Sequence, residues 1–97
     1  MKWIDKNLYI KPINTYIDPY KPVENAIITH GHADHAKPGH KNVLATKETI
    51  EIMKIRYGEN CAENFQVLTI NKSLKINNVL ITFFPAGHIL GSVQVLT

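Results

Sequence analysis

Residues 26–35 have the sequence AIITHGHADH, in which a short apolar run leads directly into a histidine-rich segment. The run at 26–29 does not alternate between polar and apolar residues, as a half-buried strand would. It therefore predicts a strand that is buried on both faces. The strand ends at His30, so the histidines are expected just beyond the end of one strand of a sheet.

Residues 30–35 hold three of the chain's five histidines and an aspartate. His30 and His32 are two residues apart, with Gly31 between them, so an extended segment projects both side chains to the same side. Asp34 and His35 are adjacent and point in different directions, which suits a second ion. Nitrogen and carboxylate ligands without a thiolate predict Zn²⁺, with Mn²⁺ or Fe²⁺ as substitutes. The alternative is a histidine-rich surface loop.

Two ions held about 3.5–4 Å apart lower the pKa of a shared water and offset charge on the attacking and leaving oxygens. Such a site suits hydrolysis of an ester, a lactam or a phosphodiester. His88 is a further candidate ligand, because it follows the apolar strand 79–84 between Gly87 and Gly91 and should lie at the rim of a sheet. By itself, His88 would more simply be a capping or surface histidine.

Three other residues invite a functional interpretation. Asp18 is either a turn carboxylate before Pro19 or an acceptor that orients the ligand segment. His40 lies in a turn five residues after the cluster, and we interpret it as a surface residue or a support for a ligand, not as a ligand. Cys61 is interpreted as a small residue that fills space in the core.

The remaining pattern is of short strands around one helix. Residues 3–4 and 8–10 predict an opening hairpin, and 43–45 predict a second buried strand. Thr46 as N-cap and Gly58 as stop predict a helix over 47–57, with Ile50, Met53 and Tyr57 on one face. Further strands are expected at 66–70, 74–76, 79–84 and 93–97, with turns at 71–73 and 77–78.

Composition restricts the class of protein. The 97 residues are 44% hydrophobic and 20% charged, which predicts one small globular domain. No apolar run is long enough to span a bilayer, so no membrane partner is expected. The single cysteine and the charged N-terminal segment predict the cytoplasm. The net charge of +3 mildly favours phosphate-bearing partners, although ordinary solvated lysines explain it more simply.

The last apolar run, 93–97, has no polar tail. A bare strand at the edge of a sheet recruits other chains. One explanation is an edge strand that pairs with a partner. The explanation we favour is that residues 1–97 are the first part of a longer domain.

Taken together, these residues resemble a known family. Residues 29–35 resemble the HxHxDH motif of the metallo-β-lactamase superfamily, and Asp18 stands where that family has an aspartate after an early strand. Residues 85–92, PAGHILGS, resemble the next histidine motif in the nuclease branch that includes the mRNA 3′-end cleavage factors. Residues 30–40 and 86–94, with 44–49 and 56–59, are similar to the bacterial ligase-associated DNA exonucleases.

The resemblance implies an α/β fold that forms part of an αββα sandwich, mostly the N-terminal β-sheet with one or two helices. It implies that His30, His32 and His88 hold one zinc and that Asp34 and His35 hold the other. Asp34 would also handle the proton of the bridging water, as the catalytic residue, and Asp18 would support the ligand segment. The implied reaction is cleavage of a phosphodiester in DNA or RNA.

The superfamily also uses a bridging aspartate and a further histidine in later motifs. Residues 89–97 contain neither. We therefore expect 1–97 to be the N-terminal portion of an incomplete domain that binds metal weakly and does not turn over substrate. The site would be completed by the C-terminal half or by a second chain.

Two alternatives to a nuclease remain open at this point. The first keeps the superfamily but assigns a small ester, thioester or lactam as substrate. The second is a non-catalytic remnant that survives as a metal-binding or interaction module.

Overall fold

The computed structural model describes residues 3–4, 9–19, 21–30, 37–85 and 93–96. These residues form nine strands, one 3-10 helix and one α-helix. The 3-10 helix, η1, covers Lys11–Ile13, and the α-helix, α1, covers Lys47–Tyr57. This combination of sheets and a helix confirms the predicted α/β class.

A five-stranded sheet carries the candidate site. Its strands, in spatial order, are β2 (Tyr9–Ile10), β3 (Thr15–Ile17), β4 (Asn25–Ile27), β5 (His40–Ala45) and β6 (Ala62–Val67). β2 is antiparallel to β3, whereas β3 to β6 are parallel to one another. The carboxyl ends of β3 to β6 therefore lie along one edge, which we call the carboxyl edge.

A four-stranded antiparallel sheet has the order β1 (Trp3–Ile4), β9 (Val93–Leu96), β8 (Val79–Pro85) and β7 (Ser73–Ile76). β7 and β8 are joined by the predicted two-residue turn. Asn77 and Asn78 both have positive φ, 46° and 70°. This is what a type I′ turn requires, and asparagine tolerates that conformation better than most residues.

Side-chain alternation in the central strands produces three layers. Ile27 and Leu44 face the four-stranded sheet, and this core comprises Ile10, Ile13, Ile17, Ile27, Leu44, Leu68, Ile81 and Phe83. Their neighbours in sequence face α1, and the second core comprises Ala26, Ile28, Val43, Ala45, Ile50, Met53, Cys61 and Ala62. The five-stranded sheet is thus covered on both faces, as the unbroken apolar run 26–29 predicts.

The helix agrees with its prediction at both ends. The hydroxyl of Thr46 accepts a hydrogen bond from the Thr49 N–H at 3.3 Å. At the other end, the Gly58 N–H donates to the carbonyl of Lys54 at 2.8 Å, and Gly58 has φ 97°. Ile50 and Met53 are buried against the sheet, and Tyr57 packs partly buried beside them.

Two sequence predictions, and one of the explanations left open for residues 93–97, are wrong. β1 and β2 do not form a hairpin, because β1 pairs with β9 and β2 pairs with β3 in different sheets. β9 is consequently not an edge strand, since it lies between β1 and β8. The strand predicted at 66–70 is instead Ala62–Val67. As an edge strand β6 is mostly exposed, so it lacks the apolar pattern by which strands are recognised.

No helix in the described part of the chain combines the length and apolarity that crossing a membrane requires.

The helix cap gives a stability prediction. Thr46→Ala removes the acceptor for the Thr49 N–H and a second buried contact, in which the Thr46 hydroxyl donates to Oγ1 of Thr49 at 3.2 Å. We expect the free energy of unfolding to fall by about 1–2 kcal/mol, measured by urea denaturation. Thr46→Ser keeps the oxygen and should retain most of the stability. Equal losses in the two variants would mean that the Thr46 methyl group matters rather than the cap.

Candidate metal site at the carboxyl edge

Two strand ends meet at the carboxyl edge. Asp18 directly follows β3, and its N–H donates to the carbonyl of Ile27, the last residue of β4, at 2.9 Å. β4 continues through Ile28, whose N–H donates to the carbonyl of Leu44 at 3.1 Å. Thr29 and His30 follow. Ligands of parallel sheets are held beyond the carboxyl ends of strands, and this is where the histidine segment begins.

The carboxylate of Asp18 ties the two strand ends together. Asp18 is 1% exposed. Its Oδ1 accepts a hydrogen bond from the Thr29 N–H at 2.8 Å, and its Oδ2 accepts one from the Thr29 hydroxyl at 2.5 Å. The Asp18 backbone is left-handed, with φ 46°, directly before Pro19. A left-handed residue costs about 1–2 kcal/mol, and hydrogen bonds to a charged group contribute about 1.5–3 kcal/mol each, so the two bonds outweigh the strain.

His30 is the third member of this group. It is half-buried, and its Nδ1 lies 3.0 Å from the hydroxyl oxygen of Thr29. Asp18, Thr29 and His30 therefore form a continuous hydrogen-bonded set, which we call the edge triad. The triad ties the imidazole to a buried carboxylate through one hydroxyl.

The other predicted ligands, His32, Asp34, His35 and His88, lie outside the described residues. Within residues 3–4, 9–19, 21–30, 37–85 and 93–96, no three His, Cys, Asp or Glu side chains form a group able to hold a metal ion. The structure therefore gives the position of one predicted ligand, His30, and of its predicted support, Asp18.

The edge triad fits a zinc ligand in its donor chemistry. A neutral imidazole is a zinc ligand, and ligating histidines commonly use their second ring nitrogen to reach a carboxylate, a carbonyl or a water. Here the second nitrogen reaches a carboxylate through the hydroxyl of Thr29. His30 can accordingly contribute one nitrogen to an ion bound at this edge.

Our interpretation of His40 as a surface residue is wrong, and His40 does not support His30, the one predicted ligand among the described residues. His40 is the first residue of β5 and is 1% exposed. It lies four residues before Leu44, or about 13 Å along the strand, so it is at the opposite end of the sheet from the edge triad. Its Nδ1 accepts the Val23 N–H at 3.1 Å, and burial lowers the pKa of His40 from its usual 6.5.

Cys61 behaves as predicted. It is 6% exposed and packs with α1 and the outer face of the five-stranded sheet. Burial raises the pKa of its thiol, so the group stays protonated at neutral pH and acts as a small apolar side chain.

A cleft of about 570 Å³ opens on the face of the five-stranded sheet that is turned toward the other sheet. Its polar wall is an amide ladder in which Asn64 donates to Asn42 at 2.9 Å and Asn42 donates to Asn25 at 2.8 Å. Because the register places these residues side by side, the ladder fixes how three strands align. The ladder's amides bond to one another near the amino ends of the strands, away from the edge triad.

Thr29 is the residue that our sequence reasoning did not single out. The available signal was its position: a threonine that ends a fully buried strand carries a hydroxyl that needs a partner, and Asp18 was the predicted acceptor in the same region. Sequence alone does not show that one hydroxyl contacts both Asp18 and His30, since this depends on the pairing of β3 with β4.

The chain is similar to a known protein over most of its length. The chain matches no protein-family model. It is similar to a protein of Opitutus terrae named as a probable DNA ligase, with 29% identity over 90 residues. The match covers 92% of this chain but only 9% of the ligase, so the chain corresponds to a small segment of that relative.

The buried His40 predicts a pH dependence of stability. In the unfolded chain His40 titrates near pH 6.5, whereas burial holds its pKa lower in the folded chain. The contribution of neutral His40 to the free energy of unfolding is fully present above about pH 6.5. It is lost as the pH falls from there toward the lower pKa of the folded chain, because the unfolded chain binds the proton first.

His40→Asn removes this titration but keeps an oxygen that can accept the Val23 N–H. Chemical denaturation at about pH 8 and about pH 5.5 should therefore show a smaller difference in the free energy of unfolding for the variant than for the natural sequence. The same difference in both proteins would contradict the assignment.

Proposed function

We propose that this chain carries the N-terminal ligand-bearing part of a two-zinc hydrolase of the metallo-β-lactamase fold, acting as a nuclease on phosphodiester bonds. The observation that carries the proposal is the pair of hydrogen bonds that Thr29 donates to Asp18. This pair places a buried carboxylate behind the residue that directly precedes His30, the first predicted ligand. Burying an unpaired charge would cost several kcal/mol, and the two hydrogen bonds from Thr29 satisfy this one while holding the residue next to His30.

The layering supports the fold assignment. α1, the five-stranded sheet and the four-stranded sheet pack on one another in that order. These are three of the four layers of an αββα sandwich. The carboxyl edge of the five-stranded sheet then corresponds to the place where that fold binds its metal ions.

The choice of nucleic acid as substrate rests on three observations. Residues 85–92 resemble the histidine motif of the nuclease branch, and the net charge of +3 mildly favours phosphate-bearing partners. The relative in Opitutus terrae is named as a probable DNA ligase, a class of protein that acts on DNA. We extend this to propose DNA as the substrate, with RNA as the alternative.

Each ligand has a role in the proposed site. His30, His32 and His88 would hold one ion and Asp34 and His35 would hold the other. Asp18 would keep Thr29 and His30 in place. A pair of bound zinc ions supplies a water of lowered pKa and offsets charge on the attacking and leaving oxygens. Asp34, as the proposed catalytic residue, would take up the proton of such a water on its carboxylate. The bridging aspartate and the further histidine of the family would come from a C-terminal half of the domain or from a second chain.

Zinc titration against a competing chelator tests the ligand assignment. We expect the 97-residue chain to bind zinc, and His30→Ala to weaken binding. Asp18→Asn should weaken it by about 10- to 100-fold, because the amide nitrogen cannot accept the Thr29 hydroxyl. His40→Asn is the matched control and should bind as the natural sequence does. Absence of zinc binding in the natural sequence would remove the basis of the proposal.

Hydrolysis tests the substrate class. The product of the complete open reading frame should cleave single-stranded DNA in a zinc-dependent way, and the isolated 97-residue chain should not. RNA and a chromogenic lactam serve as the comparison substrates. Cleavage of the lactam alone would contradict a nuclease and favour the small-molecule hydrolase instead.

A further inference from the structure

We propose that Thr29 is a positioning residue that fixes the tautomer of His30. This inference rests on the proposed function only in taking His30 as a metal ligand. Its hydrogen-bond argument stands on the described residues alone. The juxtaposition that carries it is a single hydroxyl lying between a buried carboxylate and an imidazole.

The direction of both hydrogen bonds follows from the groups involved. A carboxylate accepts hydrogen bonds and cannot donate them, so the 2.5 Å contact between Oδ2 of Asp18 and Oγ1 of Thr29 uses the hydroxyl proton of Thr29. A hydroxyl has one proton. Oγ1 can therefore only accept in its 3.0 Å contact with Nδ1 of His30, and Nδ1 must carry a proton.

This assigns the second nitrogen of the ring. A neutral imidazole has one protonated nitrogen and one with a lone pair. With the proton on Nδ1, the lone pair of His30 is on Nε2. Nε2 is thus the nitrogen that has the lone pair needed to coordinate an ion.

Thr29 suits this role because it is held at two points by the same carboxylate. Its N–H donates to Oδ1 of Asp18 and its hydroxyl donates to Oδ2. Together these bonds fix the backbone and the χ1 angle of Thr29, and a β-branched side chain already has few χ1 options. The oxygen that faces His30 is therefore placed before any ion binds.

Nitrogen-15 NMR of the metal-free chain reads the tautomer directly. At about pH 8, where an ordinary histidine is neutral, we expect the His30 ring to carry its proton on Nδ1. The His30 signals are assigned by their loss in His30→Gln. A proton on Nε2 in the natural sequence would overturn the proposal without any Thr29 variant, so the test survives if a variant does not fold.

The matched pair Thr29→Val and Thr29→Ser separates the hydroxyl from the side-chain shape. Valine keeps the branched shape and removes the oxygen, so the His30 proton should redistribute toward Nε2 and zinc affinity should fall by about 10- to 100-fold. Serine keeps the oxygen, and both properties should stay close to those of the natural sequence. Serine behaving as valine does would overturn the role assigned to the hydroxyl.

The two proposals fail in different ways. If Thr29→Val moves the proton but the natural sequence binds no zinc, the assignment of the tautomer stands and the metal function fails. If the natural sequence binds zinc but Thr29→Val changes neither the proton position nor the affinity, the metal function stands and the role of Thr29 fails.

Discussion

The structure depends on the hydrogen bonding of one buried carboxylate. Asp18 directly follows β3, Thr29 lies beyond the end of β4, and both carboxylate oxygens of Asp18 accept hydrogen bonds from Thr29. The ends of two antiparallel strands can be joined by a tight turn, but the ends of two parallel strands cannot. Other contacts must therefore align β3 and β4 at the carboxyl edge. The carboxylate of Asp18 supplies such a contact, and the Asp18 backbone is left-handed there, with φ 46°. Backbone strain of this kind persists where the surroundings overdetermine it, and such places are often functional sites.

The rest of the fold makes that edge rigid. Ile27 and Ile28 follow one another in sequence and are both completely buried, one in the core between the sheets and the other in the core beneath α1. A shift of β4 by one residue would exchange these faces and bring Asn25 into an apolar core. The amide ladder through Asn42 opposes the same shift at the other end of the strands. The position of His30 relative to the carboxyl edge is therefore fixed by the register of β4.

Elements with local sequence signals were predicted well, whereas the pairing of strands that are distant in sequence was not. The bounds of α1 follow from Thr46 and Gly58, because a cap acts within one turn of the helix. The Asn77-Asn78 turn is equally local. The partner of β1 is β9, which lies about ninety residues away, and nothing in either segment identifies the other. β6 was displaced in the prediction because an edge strand buries little and so shows weak periodicity. At the site, residue types indicated His30 and Asp18, whereas the part of Thr29 depends on which strands are neighbours.

The two described histidines show why residue type alone does not identify a ligand. His40 uses the lone pair of Nδ1 to accept the Val23 N–H, and its Nε2, buried and without a hydrogen-bond partner among the described residues, carries the proton. That ring has no lone pair left for a metal ion. In His30 we propose the reverse order, in which Nδ1 donates to Oγ1 of Thr29 and the lone pair is on Nε2. The neighbouring group therefore decides which ring nitrogen keeps its lone pair. A backbone N–H uses the lone pair of His40, whereas the Thr29 hydroxyl, which already donates to Asp18, would leave the Nε2 lone pair of His30 available.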